Sequence, residues 1–190
     1  MELKNFISVY DNFLSPLQVS AFLRTFKDTK FEDAGVIGNK NDIRVNKDIR
    51  TAQNYGLSSE KSFTEAHWFN FICYKIKNTV LKFCKDKEIL INLKRIQELT
   101  ILKYTEGGFY KPHFDNAPLQ APREFSVIVF LNNDYEGGNL VFYEPNHKDK
   151  ILEVKPGVGK IVVWPSNYLF PHAAEPVKKG TRFVLVSWII

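Results

Sequence analysis

Thiols are scarce in this sequence. Two cysteines, Cys73 and Cys84, occur in 190 residues. They form no C-x-x-C pair, and no further cysteine is present to complete a site, which excludes a disulfide-stapled scaffold and a thiolate zinc module. Both thiols are expected to be free and partly buried in a reducing compartment. Long apolar runs are missing too. No stretch approaches the roughly twenty apolar residues of a membrane-crossing helix. The opening Met-Glu-Leu-Lys-Asn-Phe-Ile-Ser carries an acid and no apolar core of signal-peptide length. The expectation is a soluble, cytoplasmic protein with no membrane partner. Basic runs are also absent: Lys and Arg number 26 against 21 Asp and Glu, and the net charge of +5 is scattered along the chain. Nucleic acid is therefore disfavoured as a partner.

What is present suits one core. With 44% hydrophobic and 14% aromatic residues, a chain of this length needs no second unit, so residues 1–190 are read as a single domain. Ser15-Pro16 provides an N-cap and a first-turn proline, and Val19, Phe22, Leu23 and Phe26 follow at helical spacing. A second, longer helix is expected from roughly Ser59 to Lys85, with Ala66, Phe69, Cys73, Ile76, Val80 and Phe83 on one face. Between them, residues from about Phe31 to Ser59 read as irregular strands and loops.

From Ile96 the texture changes to short β-rich runs broken by Gly, Pro and Asn. These are Ile96 to Tyr104, Phe125 to Leu131, Asn139 to Tyr143, Ile151 to Val154, Lys160 to Trp164 and Arg182 to Ile189, with turns at Gly137-Gly138 and Pro156-Gly157. The predicted fold is mainly β with flanking α-helices: a double-stranded β-helix (a cupin-like jelly roll) over 96–190, packed against helical support in 1–95.

His113 and Asp115 stand two apart in Tyr110-Lys111-Pro112-His113-Phe114-Asp115. Alternate residues of a strand share a face, so an imidazole and a carboxylate can grip one metal ion there. His172, returning across the sheet, would complete two His and one carboxylate, the facial triad of non-haem Fe(II) oxygenases. Arg182 opens an otherwise apolar strand, where a charge is costly unless it meets an anion. Simpler readings stand beside each of these. His113 and Asp115 could be a solvated pair on an edge strand, His172 a hydrogen-bonded loop histidine, and Arg182 a surface arginine at a strand end.

Tyr104-x-x-Gly107-x-x-Tyr110-x-x-His113-x-Asp115, then Gly137-Gly138 with Phe142, Pro156-Gly157, and His172-x9-Arg182 with Trp188 together resemble the prolyl 4-hydroxylase branch of the 2-oxoglutarate and Fe(II)-dependent dioxygenases. The resemblance is collinear from Ile96 onward. Ahead of it, Tyr10-Asp11-Asn12-Phe13-Leu14-Ser15 and Arg50-Thr51 resemble the family more loosely. It implies that His113, Asp115 and His172 hold Fe(II), and that Arg182 grips the distal carboxylate of the cosubstrate 2-oxoglutarate. Tyr104 and Ser126, the latter at the place of a frequent threonine, would lie on the cosubstrate side. Tyr110, Arg123 and Trp188 would face a proline-containing peptide or protein. O2 is then the co-reactant, ascorbate a possible activator, and succinate and CO2 are released. Two departures stand out: Phe130 replaces a tyrosine found in many relatives, and the Asn116-to-Pro122 segment is short and proline-bearing.

His67 and His147 are assigned no metal role, and the chain is expected to be a monomer or weak dimer. Rival readings are hydroxylation of free proline or another small amino acid, demethylation of nucleic acid, and a non-catalytic jelly-roll binding module. Repair demethylases carry another arginine six residues after the first, a position held here by Trp188.

Overall fold

The computed structural model describes residues 2–37, 43–116 and 122–190. A short 3-10 turn, Leu3–Phe6, and strand β1 (Ser8–Tyr10) lead into helix α1 (Pro16–Thr25). Five short strands follow: β2 (Glu32–Asp33), β3 (Val36–Ile37), β4 (Ile43–Arg44), β5 (Arg50–Thr51) and β6 (Gln53–Gly56). Helix α2 spans Phe63–Asp86. The remainder is β: β7 (Ile96–Tyr104), β8 (Phe109–His113), β9 (Phe125–Phe130), β10 (Glu136–Gly137), β11 (Leu140–Tyr143), β12 (Lys150–Val154), β13 (Ile161–Pro165), β14 (His172–Ala174), β15 (Val177–Lys179) and β16 (Arg182–Ile189).

Helix α1 begins where its sequence signals say. Ser15 accepts from the Gln18 N–H while the Gln18 side chain accepts from the Ser15 N–H, and Pro16 fills the first turn. Helix α2 starts four residues later than the expected Ser59, because Ser62 is the residue whose hydroxyl caps it by accepting from Glu65 N–H.

Two antiparallel sheets make the body. The larger runs β1-β13-β9-β16-β7-β6-β2 and the smaller β12-β11-β14-β8-β5. They face each other as a double-stranded β-helix, so the mainly β, jelly-roll expectation holds. The central strands of the larger sheet are rich in apolar residues that fall on both of their faces. Leu99, Ile101, Val127, Val129, Ile161, Val163 and Leu185 point to α1 and α2, meeting Phe22, Ile72, Ile76, Val80 and Phe83. Their neighbours Leu102, Tyr104, Ile128, Phe130, Val162, Trp164, Val184 and Val186 point into the space between the sheets, where Leu140 and Phe142 meet them. The period-2 alternation therefore separates two cores within one run of sequence. Arg182 lies on the inter-sheet side and is paired in register with Tyr104.

The N-terminal segments are woven into both sheets. β5 pairs with β8, and β6 pairs with β7. Two local expectations change. The tight turn before β13 falls at Gly159 rather than Pro156-Gly157, since Gly159 takes the positive φ of 72°. The Asn116-to-Pro122 segment lies, except for its ends, outside the described residues. Among the described residues no helix is long and apolar enough to cross a membrane.

Candidate metal centre

Strand pairing brings the three candidate ligands together. His172 opens β14 and stands directly across from His113, the last residue of β8, so the two imidazoles project from neighbouring strands of one sheet, with ring centroids 4.4 Å apart. Strand alternation explains only part of the rest. Asp115 lies in a bend beyond the end of β8, and it is this bend that returns its carboxylate to the imidazoles. β8 is flanked by β14 and β5, so His113 is on an interior strand, and His172 belongs to a strand rather than a loop.

The ligand atoms of His113, Asp115 and His172 all lie within 4.8 Å of one another. His113 Nε2 is 3.7 Å from Asp115 Oδ1, and His172 Nε2 is 3.5 Å from Asp115 Oδ2. Both rings have their other nitrogen on a backbone carbonyl two residues back: His113 Nδ1 on Lys111 O at 2.8 Å, His172 Nδ1 on Phe170 O at 3.1 Å. A carbonyl only accepts, so each Nδ1 carries the proton and each Nε2 presents a lone pair to the common centre. Burial, and after it the neighbouring His172, lowers the His113 pKa and keeps that ring neutral. Burial alone would raise the Asp115 carboxyl, but His172, His113, and hydrogen bonds from Ser126 and Trp188 bring it below its ordinary value. Two imidazoles and one carboxylate form a donor set that suits Fe(II).

Packing locks this geometry. Tyr110 stacks on His113 at 3.5 Å between centroids, with the Arg50 guanidinium 4.7 Å from the Tyr110 ring. Trp164 and Phe142 close on His172, at 4.9 and 5.8 Å. Arg123 donates to the Asp115 backbone carbonyl and to Gln97, and lies 3.7 Å from the Trp188 ring. Burial raises the Tyr110 pKa to about 12, so its hydroxyl stays protonated.

Ser126 differs from the expectation. Its hydroxyl donates to Asp115 Oδ2 at 2.6 Å and is 2.7 Å from Ser166 Oγ. The carboxylate uses the Ser126 proton, so Ser166 donates to Ser126. Ser126 thus orients the candidate ligand Asp115 and does not line the cavity where a cosubstrate would lie.

That cavity, of about 220 Å³, extends from His113, Asp115 and His172 to Tyr104 and Arg182 on one side and to Tyr110, Arg123, Trp188 and Arg50 on the other. Arg182 is only 1% exposed. Its Nε and Nη2 are buried without a hydrogen-bond partner among the described residues, and its guanidinium carbon lies 4.8 Å from the Tyr104 ring. A cation in that state is a site for an anion. Sequence reasoning had no signal for Ser166, which follows Trp164-Pro165 without any motif, nor for Gln97. Arg50 was noted only as part of a loop.

The comparisons agree with this geometry. The family model described as the 2OG-Fe(II) oxygenase superfamily matches residues 99–190. A PKHD-type hydroxylase of Crocosphaera subtropica is 35% identical over 108 residues, covering 54% of this chain and 46% of that protein. Prolyl 3-hydroxylase 1 of Rattus norvegicus is 35% identical over 158 residues, covering 74% of this chain and 22% of that one. The chain thus spans less than half the length of either relative. Among solved structures, a prolyl hydroxylase from Trichoplax adhaerens, in complex with a hypoxia inducible factor oxygen degradation domain peptide fragment, superposes with a TM-score of 0.78 at 19% identity, covering 98% of this chain and 84% of that one. A Pseudomonas putida prolyl-4-hydroxylase gives 0.72 at 20% identity, over 97% and 91%. At such identities the likeness concerns the fold. Residues 99–190 thus match the family model of the 2OG-Fe(II) oxygenase superfamily, and the described residues share the double-stranded β-helix fold of the prolyl hydroxylase structures.

Proposed function

We propose that the chain is a Fe(II)- and 2-oxoglutarate-dependent dioxygenase that hydroxylates prolyl residues of a peptide or protein, consuming O2 and releasing succinate and CO2. One observation carries this reading: a His-Asp-His cluster and a buried arginine, whose Nε and Nη2 have no hydrogen-bond partner among the described residues, open onto the same cavity. His113, Asp115 and His172 would hold the iron through Nε2, a carboxylate oxygen and Nε2. Bound iron with its cosubstrate supplies the oxidising power to replace hydrogen by hydroxyl at an unactivated carbon. The protein's own residues do the positioning. Arg182 holds the distal carboxylate of the cosubstrate by a charge-assisted pair, and Tyr104 donates a phenolic hydrogen bond to it. Tyr110, Arg123 and Trp188 form the substrate side, where aromatic faces and a guanidinium receive a proline ring and its backbone carbonyls.

Residues 1–190 work as one catalytic unit, a reading supported by the pairing of β5 and β6 with strands of the core. The free thiols fit a reducing, cytoplasmic setting, ascorbate sustains turnover, and the unit acts as a monomer or weak dimer. A peptide rather than free proline is favoured because a structural neighbour is in complex with a peptide fragment. The test is incubation with Fe(II), 2-oxoglutarate and a panel of proline-containing peptides beside free L-proline, with detection of a gain of about 16 Da, one oxygen atom, and of succinate in equal amount. Peptide modification that disappears in His113→Ala is expected. Succinate release no faster than in buffer with every substrate would overturn the reading.

A further inference from the structure

Strand β7 begins with an irregularity. Ser187 stands across from Leu99 and Ile189 across from Ile96, so Gln97 and Glu98 together face the single residue Trp188, which makes a β-bulge. A bulge breaks the alternation of faces and re-aims a side chain. Here it brings two consecutive side chains to one guanidinium: Arg123 Nε donates to Gln97 Oε1 at 3.1 Å, and Arg123 Nη2 lies 3.9 Å from Glu98 Oε1. The Ser187 hydroxyl donates to the Glu98 carbonyl and pins the bulged backbone. Among the described residues, the acids that line the cavity are Asp115 and Glu98, and their surroundings differ. The Asp115 side chain is 8% exposed and held between His113 and His172, whereas that of Glu98 is 51% exposed. The 3.9 Å separation from Arg123 is beyond hydrogen-bond length. Arg123 already donates to Gln97 and to the Asp115 carbonyl, and it rests on the Trp188 ring. Arg50 is turned to the Gly35 carbonyl and the Tyr110 ring. Glu98 therefore keeps a carboxylate open at the solvent-facing margin of the cavity, beside Trp188.

We propose that Glu98 is a specificity-determining residue that selects a peptide with Lys or Arg next to the target prolyl residue and disfavours Asp or Glu there. The proposal rests on the peptide-hydroxylase reading above. With the proline ring at Tyr110 and Trp188, the adjoining residue of an extended peptide lies about 3.5 Å further along the chain, toward the margin where the bulge holds Glu98. A long basic side chain reaches such a half-exposed carboxylate while its charged end stays hydrated. A pair of this kind is weak, so it discriminates among peptides more than it adds affinity.

The test measures kcat/KM for hydroxylation of alanine-based peptides with one central proline and Lys, Ala or Glu placed directly before or after it. Wild type, Glu98→Gln and Glu98→Lys are compared with Fe(II) and 2-oxoglutarate at low and high salt. Wild type is expected to prefer the Lys peptide over the Glu peptide by about fivefold at one of the two positions, as for a half-exposed ion pair, with the ratio shrinking as salt screens it. Glu98→Gln should level the ratio and Glu98→Lys should reverse it. A wild type without preference, a preference that survives Glu98→Gln, or an equal loss for every peptide in both variants overturns the proposal. A wild type that hydroxylates none of the peptides overturns the peptide-hydroxylase reading itself, and the role of Glu98 with it.

Discussion

Ser126 and Asp115 are joined by a 2.6 Å hydrogen bond across the gap between β9 and the bend after β8. The serine is anchored in turn by Ser166, whose backbone N–H donates to Glu124 O and whose carbonyl accepts from Asn116 N–H. One hydroxyl pair thus connects the candidate carboxylate ligand to two flanking segments. Outer partners of metal ligands commonly account for 10–100-fold in affinity. Ser126→Ala is accordingly expected to weaken Fe(II) or Mn(II) binding by about tenfold or more, with the circular dichroism of the fold unchanged. Wild-type metal affinity in this variant would refute the orienting role.

Arg182 is buried and lacks partners for Nε and Nη2 among the described residues, which makes it a liability to the free protein. Arg182→Met keeps the length of the side chain and removes the charge, so the variant is expected to resist urea better than wild type, by about 1 kcal/mol or more. The same change should abolish the stabilisation that 2-oxoglutarate gives the metal-loaded wild type. A variant less stable than wild type without ligand would show that the guanidinium is already satisfied.

Gly159 holds the entry of α1 against the core. Its carbonyl accepts from Leu14 N–H and its own N–H donates to Phe130 O. The backbone is left-handed, at φ +72°, and a Cβ would fall 1.9 Å from Leu14 O. Gly159→Ala therefore combines an unfavourable conformation with a backbone clash and is expected to cost about 2–4 kcal/mol in a urea titration. A loss below about 0.5 kcal/mol would mean that the segment shifts freely.

Cys73 is half-buried, and burial raises its thiol to about 11. Burial raises the Cys84 thiol as well. At pH 8 the thiolate of Cys73 is then on the order of a thousandth of the population. Iodoacetamide at that pH should modify the native protein slowly at both positions and the urea-unfolded chain at both quickly. Rapid native labelling at either site would contradict the burial described here.

Legibility in the sequence varied with how far each feature depends on distant residues. Strands β7 and β16 have their expected bounds because long β-rich runs end at turn residues. The start of α2 was misplaced because Ser58, Ser59 and Ser62 are all plausible caps, and only the hydroxyl of Ser62 meets the Glu65 N–H. β14 has three residues, too few for any pattern, so His172 looked like a loop residue until its pairing with β8 was seen. The spacing of His113 and Asp115 was visible, but the reason their atoms converge is a bend after the strand. Ser126 was assigned to the cosubstrate by resemblance, whereas its hydroxyl direction depends on Ser166, forty residues away.

The register between β8 and β14 acts as a ruler. His113 and His172 are opposite one another by backbone pairing, and side chains alternate faces at each step along a strand. Lengthening the turn between β11 and β12 leaves this ruler untouched, whereas one added residue within β14 would turn an imidazole to the far side of the sheet. The fold therefore leaves the β11–β12 turn free to diversify, while the pairing of His172 with His113, at the edge of a register shift before Ala174, fixes how the two histidine-bearing strands meet.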